Sequence, residues 1–249
     1  MGRPLVIVAG QSNCYNYIDH TLDDAAYSSL PYTAWKNAMV ILADPRQRRI
    51  PWAPHRATES HSSGGVTTWP GPDLVIAKVL GDAGHTPTTI FDAMGNTSLA
   101  VDWAATTGPM YVQIVYEIAR AFVSTKNPGG YSSSWLVWIQ GENDGGSAPN
   151  TAAYKTNFDA FWSALKADLA VSCPGLRCVV VKLGTQMTAV TQLTDMRTRY
   201  DEIVAAHADV FAYDSTPCAI SGDNVHYSKA GVVTLGTGIA NAMIAAGSL

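Results

Sequence analysis

A chain of 249 residues, of which 47% are hydrophobic, can bury a full core, and its length fits a single domain over residues 1–249 better than two. With 16 Lys+Arg against 20 Asp+Glu its formal net charge is −4, and basic residues cluster only at Arg46-Gln47-Arg48-Arg49, so no nucleic-acid partner is expected. No interior run is long and apolar enough to span a bilayer, so no membrane partner is expected, and Met1-Gly2-Arg3-Pro4 lacks the apolar core of a secretory leader, which leaves the compartment open between secreted and cytoplasmic.

The first predicted element is a buried strand from Leu5 to Ala9, inside the apolar run that begins at Pro4. It stops at Gly10-Gln11-Ser12-Asn13, which delivers a hydroxyl to the carboxyl edge of a sheet, where open α/β folds do their chemistry. Ser12 is the candidate nucleophile, although a serine after a strand is by itself more often a helix cap. The stretch from Asp44 to Gly71 is irregular and carries Trp52, His55, His61 and Trp69; its length and two Trp fit an ordered functional flap.

Further strands are predicted at Thr88 to Asp92, Ser134 to Ile139, Cys178 to Leu183 and Val210 to Tyr213. Amphipathic helices are predicted at Pro72 to Leu80, Pro109 to Val123, Thr151 to Val171, Val190 to His207 and Lys229 to Ala246. In the second of these the apolar stripe reads Val112, Val115, Ile118, Ala119 and Phe122. Continuous apolar strands crossed over by helices imply a three-layer α/β/α sandwich around a five-stranded parallel sheet.

Two strand ends carry polar loops. The second strand runs into Asp92-Ala93-Met94-Gly95-Asn96-Thr97-Ser98 and the third into Gln140-Gly141-Glu142-Asn143-Asp144. A tetrahedral oxyanion needs backbone N–H groups and amide donors; Gly95 permits close backbone approach and Gln140 offers an amide. In isolation Gly95 reads as a turn glycine and Gln140 as a loop brace. Glu142 and Asp144 invite a two-carboxylate or metal reading, but no His-Glu-x-x-His or calcium-loop pattern supports one, so no metal or cofactor is expected.

Near the end of the chain stands Asp223-Asn224-Val225-His226. A neutral serine hydroxyl is a poor nucleophile, so an imidazole must take its proton and a carboxylate must hold that imidazole in the right tautomer. Alone, Asp-x-x-His reads as a turn cap and a surface histidine ahead of a helix; beside Gly10-Gln11-Ser12 the catalytic reading is favoured. His85 and His207 read as structural, and His20, His55 and His61 are weaker alternatives for the base. Cys173 with Cys178, and Cys14 with Cys218, are each open between a bridge and free thiols.

Gly10-Gln11-Ser12-Asn13, Gly95-Asn96-Thr97-Ser98 with Trp103, Trp138-Ile139-Gln140-Gly141-Glu142-Asn143-Asp144 and Asp223-Asn224-Val225-His226 together resemble the ordered blocks of the SGNH-hydrolase superfamily. The resemblance is closer to its carbohydrate-esterase branch, similar to sialate O-acetylesterases and family 6 acetyl xylan esterases. It implies a flavodoxin-like SGNH hydrolase fold and a serine esterase that removes O-acetyl groups from a carbohydrate, or from another small acetyl ester, through an acyl-enzyme. The implied roles are Ser12 as nucleophile, His226 as base and Asp223 as its orienter. An oxyanion hole is implied from Ser12, the Gly95 and Asn96 region, and Gln140. Gln11, Asn13 and Glu142 are expected beside the substrate, and Trp52, Trp69 and Trp103 as flat faces for a sugar ring, although each Trp, Trp103 above all, reads equally as a core anchor. That branch usually has a second Gly where this chain has Asn96, which leaves open the N–H that completes the hole. The competing expectations are a short-chain lipase or thioesterase of the same type, and a non-catalytic glycan-binding module.

Overall fold

The computed structural model describes residues 3–14, 39–43, 71–124, 131–247 and 249. The predicted flap with Trp52, His55, His61 and Trp69 lies outside the described residues, as does His20. Within them, six strands form one parallel sheet: β1 (Arg3–Gly10), β2 (Met39–Ala43), β3 (Thr88–Ala93), β4 (Tyr131–Ile139), β5 (Arg177–Lys182) and β6 (Val210–Asp214), in the order β2-β3-β1-β4-β5-β6. The five expected strands are all present, and β2 adds a sixth beside β3. Met39-Val40-Ile41-Leu42-Ala43 is a continuous apolar run of strand length, the sequence signal by which it could have been found.

Among the described residues five helices cover the sheet: α1 (Pro72–Asp82), α2 (Pro109–Ser124), α3 (Ala148–Asp168), α4 (Leu193–Ala206) and α5 (Lys229–Ala245). Helices α1 and α5 pack on each other as one layer, while α3 packs against α4 and α2 to form the other. This is the α/β/α sandwich that the alternation of elements predicts. α3 starts three residues before the predicted Thr151, because Pro149 fits its first turn, where a missing N–H costs nothing. On α2 the buried face is Met110, Tyr111, Ile114 and Ile118, with Val115 partly buried against the core; Val112 and Ala119 are exposed, so the predicted stripe shares Val115 and Ile118 with the true face but is turned relative to it. Both patterns satisfy helical spacing; the bulkier side chains at 110, 111, 114 and 118 win the contact. All four cysteines are free and buried, so neither considered pairing is formed.

Strand β1 lies in the middle of the sheet, and Leu5 through Ala9 are fully buried. Its last residue, Gly10, is in register with Ala93 of β3 and Ile139 of β4, so the loops after all three strands emerge side by side. The chain leaving β1 runs toward one edge of the sheet and the chain leaving β4 toward the other, the arrangement that opens a crevice in α/β sheets. Gly10 makes the close approach possible: at φ 145° any Cβ would sit 1.9 Å from the Ile139 carbonyl oxygen, so only glycine fits.

Candidate active site

Beyond Gly10 the chain tightens into one turn of 3-10 helix, Ser12–Cys14, with the Cys14 N–H donating to the Gln11 carbonyl at 2.9 Å. The Gln11 N–H is tied to Ile139 O at 2.9 Å, and the Met94 N–H to Gly10 O at 3.1 Å, which stitches the three strand ends together. Ser12 is half-buried on this turn. A Cβ placed on Gly95 would lie 3.6 Å from that of Ser12, so the loop after β3 passes directly beside the hydroxyl. Neither the Ser12 nor the Gly95 N–H finds an acceptor among the described residues. Asn96 has φ 61°, a left-handed conformation that Gly and Asn reach with least strain, which explains physically why Asn can stand where the resembled branch has Gly.

The histidine arrives from the far end of the chain. Residues 219–228 fold back on themselves through an antiparallel bridge between Ile220 and Tyr227, with the Ser221 N–H donating to His226 O at 2.7 Å. Asn224 turns the tip at φ 60°. Inside this turn the Asp223 Oδ1 accepts from Ser221 Oγ at 2.6 Å, His226 N–H at 3.0 Å and Val225 N–H at 3.1 Å. Its Oδ2 lies 2.6 Å from His226 Nδ1, and His226 Nε2 lies 2.8 Å from Ser12 Oγ. Partial burial works to raise the Asp223 pKa, but the donors from Ser221, His226 and Val225 outweigh it and hold the carboxyl well below the usual carboxylate range. Serine, imidazole and an ionised carboxylate are thus in one hydrogen-bonded line.

Several expected site residues stand elsewhere. Gln11, Asn13 and Glu142 are buried, with exposures of 3%, 2% and 7%, so they lie beneath the site instead of facing a substrate. Asn13 accepts the Tyr227 N–H at 3.0 Å through Oδ1, and its Nδ2 donates to Val225 O at 3.0 Å and to Glu142 Oε1. Gln140 is fully buried and its amide is committed: Nε2 donates to Thr97 O and Asp144 Oδ2, while Oε1 accepts from the Tyr154 hydroxyl. With both protons occupied, Gln140 has no donor left for an oxyanion, which corrects the expected role. Trp103 is also fully buried; its Nε1 donates to Thr97 Oγ1 at 3.0 Å and its ring meets Trp138 edge-on at 5.0 Å, so it anchors the core and offers no face to a sugar. Trp52 and Trp69 lie outside the described residues.

Asn143 was not singled out from sequence. It is half-buried, its N–H reaches toward Gln11 Oε1 at 3.5 Å and its Nδ2 toward Asn96 O at 3.4 Å, so a loosely held amide sits between the first and second loops. The signal in the sequence is a second amide in the same loop as Gln140. Burial pushes the Glu142 carboxyl above its ordinary range, opposed by the Asn13 hydrogen bond and by His226. Burial raises Asp144 as well, against hydrogen bonds from Gln140 and the Leu99 N–H. Among the described residues no group of three His, Cys, Asp or Glu side chains is placed to hold a metal ion, and no helix is long and apolar enough to cross a membrane.

Comparison with known proteins agrees in fold and in family. A family model described as carbohydrate esterase, sialic acid-specific acetylesterase matches residues 3–245. A protein from Arabidopsis thaliana is similar in structure with a TM-score of 0.73 at 19% identity, over 98% of this chain and 99% of that one. NanS is similar with a TM-score of 0.62 at 14% identity, over 98% and 96% of the two chains. Est24, a carbohydrate acetylesterase from Sinorhizobium meliloti, is similar with a TM-score of 0.57 at 11% identity, over 98% of this chain and 100% of that one. At such identities these structures speak to the fold alone. No curated protein sequence matches this one.

Proposed function

The chain belongs to the carbohydrate esterase family of sialic acid-specific acetylesterase type, and from that premise we propose that Ser12, His226 and Asp223 remove O-acetyl groups from a carbohydrate through an acyl-enzyme. His226 Nε2 takes the proton of Ser12 Oγ as that oxygen attacks the acetyl carbonyl. Asp223 Oδ2 holds Nδ1–H and stabilises the imidazolium that forms. The developing oxyanion meets the free N–H groups of Ser12 and Gly95, with the Asn143 amide as a third donor in place of Gln140. The tetrahedral intermediate collapses as His226 returns the proton to the departing sugar oxygen, leaving acetyl-Ser12. Water, deprotonated by His226, then attacks the acetyl-enzyme; acetate leaves and Ser12 recovers its proton.

The observation that carries this reading is the line of contacts from Ser12 Oγ to His226 at 2.8 Å and from His226 to Asp223 at 2.6 Å. Its test is acetate release from acetylated xylan, O-acetylated sialic acids and aryl acetates, by the wild type and by Ser12→Ala. The variant is expected to keep the far-UV and near-UV circular dichroism of the wild type and to lose about 10⁵-fold or more in kcat. Retained hydrolysis in Ser12→Ala would sink the proposal. An ester series peaking at medium acyl chains would replace the acetyl group by a longer acyl substrate.

A further inference from the structure

Ser12 and His226 are 214 positions apart, yet their reacting atoms are held at 2.8 Å. One side chain bridges the two segments. Asn13, next to the nucleophile, grips the main chain on both sides of the histidine: Val225 O accepts from its Nδ2 and the Tyr227 N–H donates to its Oδ1. That grip works in only one orientation of the amide, since the flipped form would set donor against donor at Tyr227 and acceptor against acceptor at Val225. Glu142 Oε1, a second acceptor for Nδ2, selects the working orientation.

Resting on the esterase reading above, we propose that Glu142 is a positioning residue that locks Asn13 onto the His226 loop and supplies a second negative charge to the imidazolium formed during catalysis. Shape alone does not require a carboxylate there. A glutamine would accept from Asn13 equally well, whereas Glu142 buries an Oε2 that has no hydrogen-bond partner among the described residues, a placement that ordinarily disfavours folding. What the carboxylate adds is charge. The groups that face it electrostatically are Asp144 on its own loop, the Tyr154 hydroxyl from α3, the Tyr200 hydroxyl from α4, the Cys14 thiol, the Tyr227 hydroxyl and His226. His226 alone among these becomes positive, and it does so at the step where Ser12 Oγ gives up its proton.

The experiment is the pH profile of aryl acetate hydrolysis for the wild type, Glu142→Gln, Glu142→Asp and Asn13→Ala, each checked for folding by near-UV circular dichroism. Glu142→Gln keeps the shape and removes the charge. Its kcat is expected to fall about threefold to tenfold with KM unchanged, because the imidazolium formed at the attack step loses one of its two negative neighbours. Without the negative charge the imidazole stays neutral to lower pH, so the acid limb of kcat/KM moves down by about half a unit or more. Glu142→Asp keeps the charge at shorter reach, so kcat falls and the limb stays in place. Asn13→Ala likewise slows kcat without moving the limb. An active Glu142→Gln enzyme with wild-type kcat and an unmoved limb overturns this proposal while leaving the esterase reading intact. A wild type that releases no acetate, and whose Ser12 is not labelled by a fluorophosphonate, overturns the esterase reading itself.

Discussion

Two loops at the same edge of the sheet are built from the same residue types and set their carboxylates in opposite surroundings. In residues 221–226 the Asp223 carboxylate is partly open to solvent and surrounded by donors from Ser221, Val225 and His226, so it stays ionised. In residues 140–144 the Glu142 and Asp144 carboxylates are buried with one oxygen each lacking a hydrogen bond among the described residues, and burial pushes both toward the protonated form. Residue type therefore does not separate chemistry from support here. The number of donors on the carboxylate, and its depth, do. The outer loop aims its charge at the nucleophile's partner, whereas the inner loop spends its polar groups on Thr97, Leu99, Tyr154 and Asn13, tying strand ends and helices together.

The sharpest way to break this contrast is Asp223→Asn. The Asn oxygen can still accept from Ser221, Val225 and the His226 N–H, so the turn should survive, but the amide N–H₂ then faces His226 Nδ1 and forces the wrong tautomer. A fall of about 10⁴-fold in kcat is expected, measured on aryl acetates with a variant shown by circular dichroism to be folded. Wild-type turnover in this variant would mean that Asp223 only shapes the turn.

The inner loop should answer in the other currency, stability. Gln140→Ala strips partners from Asp144, Thr97 O and the Tyr154 hydroxyl inside the core, and is expected to lower unfolding free energy by about 3 kcal/mol in urea titration. Turnover of the folded fraction should stay within about fivefold of wild type, because no oxyanion donor has been removed. Should kcat instead drop a hundredfold in a protein of normal stability, Gln140 would belong to the reacting centre and the two loops would not differ in kind.

The fold was largely legible because its strands are continuous apolar runs with glycine or polar residues behind them, a pattern that β2 shares. The Ser12, Asp223 and His226 alignment was legible because local spacing and chain order suffice to nominate it. Side-chain direction was not legible. Gln140 reads as a free amide at a strand end until Tyr154, 14 residues on, and Tyr200, 60 residues on, are seen to close over it. Trp103 reads equally as a platform for a sugar and as a core anchor, and only the fold, which lays its ring against Trp138, decides for the second. The Asn13 to Glu142 contact spans 129 positions, and nothing local announces it.

The smallest effect is also the one that most directly compares the loops, since it measures both in the same units. A carboxylate whose pKa is depressed by folding, as in Asp223, binds fewer protons folded than unfolded; its stabilisation is present above the unfolded value near pH 4 and is lost as pH falls through the folded one. A carboxylate raised by folding, as in Asp144, binds more protons folded than unfolded, so stability declines as pH rises from about 4 through the raised folded value. Taking wild type minus variant, the stability difference for Asp223→Asn should therefore be largest near neutrality and shrink below about pH 4. The difference for Asp144→Asn should run the other way, turning against the wild type as pH climbs from about 4 to 7, by on the order of 1 kcal/mol or less. Urea titrations at pH 3, 4, 5 and 7 read both slopes. Parallel slopes would show that the two loops share one electrostatic environment after all, and that exposure alone tells them apart.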